Sequence, residues 1–192
     1  MEKICIFSDI NSYSIMIYNI FKKIFIIISV LIILSSCSNK KAETFNSLLS
    51  TKESRAFSML VGEKGLESTK LKQLIAHEYG QALHTIDQQE LVFDSIINDI
   101  KKADIVGLVE GKEVQLEAIN YYRALKDLFM FTRKEIEQEK RMRSGTKEQQ
   151  YDAQDQLLVL AREKQIRYQQ VYKSSEKLHT KRKQFETKNG LK

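Results

Sequence analysis

"LKQLIAHEYGQALHTIDQQELVFDSIINDI", residues 71–100, carries the periodicity that decides the fold. Leu71, Ile75, Tyr79, Ala82, Ile86, Phe93, Ile97 and Ile100 follow one another by threes and fours, with Glu90 at the one broken step. Side chains at those spacings share one face of an α-helix. Leu74, Leu83 and Ile96 widen the stripe, which suits a bundle better than a narrow two-stranded seam. Gly80 falls inside it. Because the stripe keeps register across Gly80, that glycine is predicted to lie within continuous helix. A close helix approach would explain a residue that costs about 1 kcal/mol relative to alanine.

Working outward, the chain holds no proline and seven glycines, at 62, 65, 80, 107, 111, 145 and 190. These are the strongest helix breakers. With Gly80 set aside, they leave four long segments: 43–61, 66–104, 112–143 and 146–188. The third repeats the helical pattern with Val114, Ala118, Tyr121, Leu125, Leu128, Thr132 and Ile136. In the fourth, a stripe runs from Leu157 through Ala161, Tyr168, Tyr172, Ser175, Leu178 and Phe185, with Leu158 and Val171 beside it. Gln165 and Arg182 interrupt that stripe, so its far end is expected to be less buried. Thr146 and Gln149, directly after Gly145, have the spacing of a capping box. Lys181, Arg182, Lys183 and Lys188 crowd the other end, where positive charge favours the helix dipole.

At 1.5 Å per residue the last three segments would be helices of ~58, ~48 and ~64 Å. Short connections between long helices favour antiparallel neighbours. The expected fold is therefore all-α: an elongated up-down-up bundle of three long helices, with the shorter 43–61 helix packed at one end.

Upstream lies the most apolar run, "KKIFIIISVLIILSSCSNKK", residues 22–41. From Ile24 to Leu34 it has eleven residues, all apolar except Ser29. A membrane span needs about 20, and extending backwards would bury Lys22 and Lys23. A basic pair, a short apolar core and small residues fit a secretory signal. The closing Leu34-Ser35-Ser36-Cys37 resembles the lipobox of bacterial lipoproteins. That resemblance covers residues 22–37 only. It implies a diacylglycerol on the Cys37 thiol, cleavage by signal peptidase II between Ser36 and Cys37, and acylation of the new amino group. Read from Met1 the leader is 36 residues, and from Met16 it is 21. Because Glu2 and Asp9 sit badly in a positive leader, Met16 is the expected start. The organisation read from the sequence is thus a leader at 1–36, a short tether at 37–42, a helical domain at 43–188 and a tail at 189–192.

The two cysteines are Cys5 and Cys37. A domain whose Cys37 is lipid-linked has no disulfide available and must rely on packing. Residues 43–139 hold 12 Lys/Arg against 17 Asp/Glu, and residues 140–192 hold 14 against 6. A basic last segment could meet nucleic acid, but export leads away from it. An anionic membrane surface or the acidic half of the same domain is the more available partner.

Candidate chemistry is sparse. Glu176 and His179 form an E-x-x-H, which di-iron bundles use in pairs, and no second copy occurs. His77 and His84, seven apart, lack an obvious third zinc ligand. No G-x-S-x-G elbow or phosphate-cradling glycine loop is present. No metal, cofactor or catalysis is expected. The stretch "ADIVGLVEGKEV", 103–114, reads either as a loop capping the bundle or as an exposed apolar patch for a partner.

The function expected from all this is a lipid-anchored helical interaction or scaffolding module at the cell envelope. Membrane lipid holds Cys37, an unidentified protein is the partner, and self-association stays open. Ser38 follows the cysteine, and enterobacterial-type lipoproteins are kept at the inner membrane mainly by aspartate there. The resemblance therefore leans to the periplasmic face of the outer membrane. The alternative is a surface lipoprotein that binds host or environmental macromolecules.

Overall fold

The computed structural model describes residues 40–191. The leader, Ser36 and Cys37 lie outside the described residues. Ala42–Lys192 is one compact unit, and every regular element among the described residues is an α-helix. Helix α1 covers 40–61. It is followed by α2 (Leu66–Ile75), α3 (Tyr79–Lys101), α4 (Gly111–Ser144) and α5 (Lys147–Lys188). The all-α bundle expected from the sequence is the fold. None of these helices is long and apolar enough to cross a membrane.

The long helices run antiparallel, as their ion pairs show. On α3 and α4, Asp94 accepts from Lys126 at 2.7 Å and Asp87 pairs with Arg133. At the shared end, Gln115 donates to the Ile100 carbonyl at 2.8 Å. Along α4 and α5 the pairs are Arg141–Asp152 (3.2 Å), Glu135–Lys164 (2.6 Å) and Glu110–Lys188 (2.5 Å). The start of α5 is fixed as the sequence predicts. The Thr146 hydroxyl accepts from the Gln149 backbone N–H, and the Gln149 side chain accepts from the Thr146 N–H. This reciprocal pair satisfies two otherwise orphaned donors.

The expected single helix over 66–104 is broken. It ends at Ile75 and restarts at Tyr79, with His77 left-handed at φ 60°. The Glu78 N–H reaches the Gln73 carbonyl at 2.8 Å and the His77 N–H reaches Leu74 at 3.0 Å. That pair of bonds is a Schellman stop, whose left-handed position usually holds glycine. Here histidine holds it, so no breaker residue announces the turn. Gly80 is helical but stands one residue inside α3, just past the break, and nothing lies within 4 Å of where its Cβ would be. Neither the continuous helix nor the close approach expected at Gly80 is found.

The break splits off a short extra helix. Helix α2 lies antiparallel to α3, with Thr85 donating to Gln73 and Gln89 donating to Glu67, each at 2.8 Å. Helix α1 meets the same α3 further along, through Lys52–Asp99 at 2.5 Å and Arg55–Ser95 at 3.1 Å. Successive stretches of α3 are thus flanked by α1 and α2 running in one direction. Helices α3, α4 and α5 form the expected up-down-up bundle with the shorter α1 packed where α3 and α5 end, and α2 is an additional short helix beside the start of α3.

The turn also decides which side of α2 is buried. Leu71 and Ile75, expected in the core stripe, are exposed, while Lys70 is only 2% exposed. Its ammonium lies 2.8 Å from Glu67 and 5.7 Å from the centre of the Phe129 ring. A buried cation is tolerable only when paired in this way. From α3 inward the expected stripe holds. Phe93, Ile96, Ile97 and Ile100 join Val114, Ala118, Leu125, Phe45, Leu49 and Phe185 in the main core, and Ala82, Ile86 and Ile136 form a second.

Because a non-glycine residue at left-handed φ costs roughly 1–2 kcal/mol, His77→Gly should stabilise the domain. Glycine's extra chain entropy, roughly 0.5–1 kcal/mol, offsets part of the gain. A net increase of up to about 1 kcal/mol in urea unfolding is expected. A loss of stability would mean that the histidine side chain matters more than the turn.

Candidate functional site on the last helix

Helix α5 does not present to the bundle the face its apolar pattern implies. Its inward line is Ala153, Leu157, Leu160, Lys164, Arg167, Val171, Ser174, Leu178 and Phe185, stepping mostly by fours and threes. Two members of that line are half-buried cations. The Arg167 guanidinium lies 3.9 Å from the Phe131 ring centre. It also sits within 3.2 Å of Asp127, a contact of charge rather than an aligned hydrogen bond. Lys164 reaches Glu135 at 2.6 Å. Long basic side chains cover apolar surface with their methylenes while their heads reach charge or water.

The stripe expected to be buried lies about a quarter-turn away, and most of it is open. Tyr168 and Tyr172 are 52% and 65% exposed, and Ala161 and Ser175 are exposed as well. Tyr151 and Leu158, at 70% and 61%, extend the same line toward the start of the helix. Of the expected stripe, Leu157 and Leu178 are half-buried, Val171 beside it is too, and Phe185 is fully buried. The far end is therefore not the less buried one.

Arg182, which interrupts the apolar pattern, is the reason. Its Nε donates to Asn46 Oδ1 at 2.7 Å and its guanidinium reaches Ser50 at 2.6 Å and Glu53 at 3.2 Å. Asn46 in turn donates to Glu186 at 3.0 Å. These bonds seat α1 on the last turns of α5, over Phe185. Among the described residues, the ion pairs of α5 before residue 172 go to α4 or stay within α5. The α5 stripe thus has, among the described residues, a cover at one end and none along the rest.

Where α1, α4 and α5 meet, a cavity of about 130 Å³ is walled by Leu49, Tyr121, Tyr122 and Leu178, with Glu53, His179 and Arg182 at its edge. Burial, and then neighbouring charge, pushes both tyrosine hydroxyls above their ordinary value of 10, Tyr122 the more strongly. The phenols stay neutral there. His179 and Glu176, the E-x-x-H pair, are exposed on α5, and His77 and His84 are exposed far from them in sequence. His77 contacts the Tyr79 hydroxyl and His84 contacts Gln88, both at 3.4 Å. Among the described residues no three His, Cys, Asp or Glu side chains converge as a metal site.

The stretch 103–114 takes the capping role, one of its two expected readings, and leaves two valines exposed. Leu108 is buried and Ile105 half-buried against the main core, so the loop caps the bundle. Val106, at 80% exposure, and Val109 point out of it. The loop also clamps the end of α5. Asn189 donates to the Val109 carbonyl at 2.9 Å, and Glu110 takes Lys188 at 2.5 Å and Lys181 at 3.6 Å.

Hydrogen bonding from Lys188, with the charge of Lys181, holds the Glu110 carboxyl below its ordinary 4.5 against the opposing effect of desolvation. A folded-state value below the unfolded one adds stability that is present above the unfolded value. That stability is lost as pH falls through the folded value. Glu110→Gln should therefore be less stable than the parent at neutral pH, and the two should converge in strong acid. Urea unfolding at both pH values checks this, and a gap that persists in acid would contradict it.

Comparison with protein-family models, with curated proteins and with solved structures finds no match to this chain.

Proposed function

We propose that the chain is a lipid-anchored helical interaction module of the cell envelope, held at the membrane through acylated Cys37. Its binding surface is the open stripe on α5. The observation that carries the interaction reading is that stripe. Tyrosine supplies a large, stiff, amphipathic contact area and is enriched at interfaces, and three tyrosines and a leucine stand uncovered along one helix. The tether reading rests on Leu34-Ser35-Ser36-Cys37 at the end of the short apolar run. On this reading the chain binds and positions, and catalyses nothing.

The placement favoured is the periplasmic face of the outer membrane. Protease added to intact cells tests it. The domain should survive until the outer membrane is permeabilised. Loss of the domain from intact cells would move it to the cell surface, and the host- or environment-binding alternative would take over.

A further inference from the structure

We infer that the open stripe of α5 is covered by the same stripe of a second copy of this chain, packed antiparallel. The inference rests on the interaction reading above and names the partner. The spacing is the first support. Tyr151, Leu158, Gln165 and Tyr172 recur every seven residues, and Ala161, Tyr168 and Ser175 recur three positions after the second, third and fourth of them. This is the a/d pattern by which two helices interlock. It is a second seam on a helix whose first seam is already occupied by α4.

The stripe complements itself. A two-fold axis near Gln165 brings Leu158 of one copy against Tyr172 of the other and small Ala161 against large Tyr168. Gln165 sits at the centre, where a polar residue fixes register at some loss of stability. The area is adequate too. A buried tyrosine or other aromatic contributes roughly 150–250 Å². Three tyrosines more than half exposed, Leu158 and their flanks approach the ~800 Å² per partner of a stable interface.

Charge selects the orientation. Residues 147–158 of α5 carry Glu148, Asp152 and Asp155 against Lys147 alone. Residues 171–188 are basic, and Lys173, Lys177 and Lys183 form no ion pair among the described residues. Antiparallel packing sets the acidic end of one helix beside the basic end of the other. Parallel packing would set basic against basic, and like charges in register are destabilising.

The test is disulfide cross-linking of the full chain in its own membranes, with the unsubstituted protein as the control for Cys5 and Cys37. Gln165→Cys should give a covalent dimer, and adding Tyr168→Glu should abolish it. Tyr151→Cys alone should not self-cross-link, because its symmetry mate would lie near residue 179, 28 residues or ~42 Å along the helix. Co-expressed Tyr151→Cys and His179→Cys chains should join. Self-cross-linking at Tyr151→Cys would overturn the antiparallel arrangement. A monomeric mass of the detergent-extracted protein, with no cross-link at any of these positions, would overturn the second copy. Fractionation of the same cells reads the tether separately. Membrane-bound protein without cross-links defeats this inference alone, whereas protein absent from the membrane defeats the lipoprotein reading whatever the cross-links show.

Discussion

Replacing Phe185 with alanine is expected to destabilise the domain by ~3–5 kcal/mol, the range for removing a large aromatic from a packed core. The side chain is fully buried, and its ring meets that of Phe45 edge to face with centroids 5.6 Å apart. The Phe45 contact joins the end of α5 to the first turns of α1, the same joint that Arg182 and Asn46 bridge with hydrogen bonds. Truncation leaves a void between two helices and removes an aromatic pair worth roughly 0.5–1.5 kcal/mol beyond its area. Domains of this kind have only about 5–15 kcal/mol in total. At roughly 2–4 °C per kcal/mol, the melting temperature should fall by on the order of 10 °C. Hydrogen exchange should accelerate first in 42–61 and 178–189, which face each other across the gap. A loss below about 1 kcal/mol would mean that α1 is not held by this contact.

Replacing Cys37 with serine is expected to leave an uncleaved, unacylated precursor, because the sulfur is the atom to which the lipid would be attached. One acyl chain gives only marginal, reversible binding, and each buried methylene adds about 0.8 kcal/mol. Two or three chains on Cys37 would hold the domain at the membrane with no help from its surface. Metabolic labelling with palmitate and the size of the accumulated chain read the outcome. The chain from Ser38 onward, made without a leader, should be folded and strongly helical, since the core residues all lie downstream. If it proved insoluble or unfolded, the anchor would be part of the fold. Normal processing and labelling of the Cys37→Ser protein would remove the basis of the tether.

The helices were legible because their signals are local. The absence of proline, the glycines at 107, 111 and 145, and the Thr146–Gln149 capping box place the ends of α3, α4 and α5 within a few residues. The break at 76–78 was not legible, because its left-handed position is filled by His77. Only the tertiary pairing of α2 with α3 through Gln73–Thr85 and Glu67–Gln89 requires a reversal there. The same reversal explains why Lys70 is inside and Ile75 outside. On α5 the hydropathy pattern pointed to the wrong line. The packed face includes Lys164, paired with Glu135, and Arg167, stacked on Phe131, contacts invisible to a scale that scores both as charged. That displacement is what brings the candidate site into view. Tyrosines patterned as a core and left exposed on α5 are the basis of the proposed partner surface.

We propose that a self-contained helical bundle is held at the membrane by a covalent lipid on Cys37. The most direct test is the intact mass of the protein extracted from membranes, with fragmentation of its N-terminal peptide. The expected species is a chain beginning at Cys37 that carries a thioether-linked diacylglyceryl group and an amide-linked acyl chain. A chain that still begins at Met1 or Met16, with an unmodified Cys37 thiol, would contradict it.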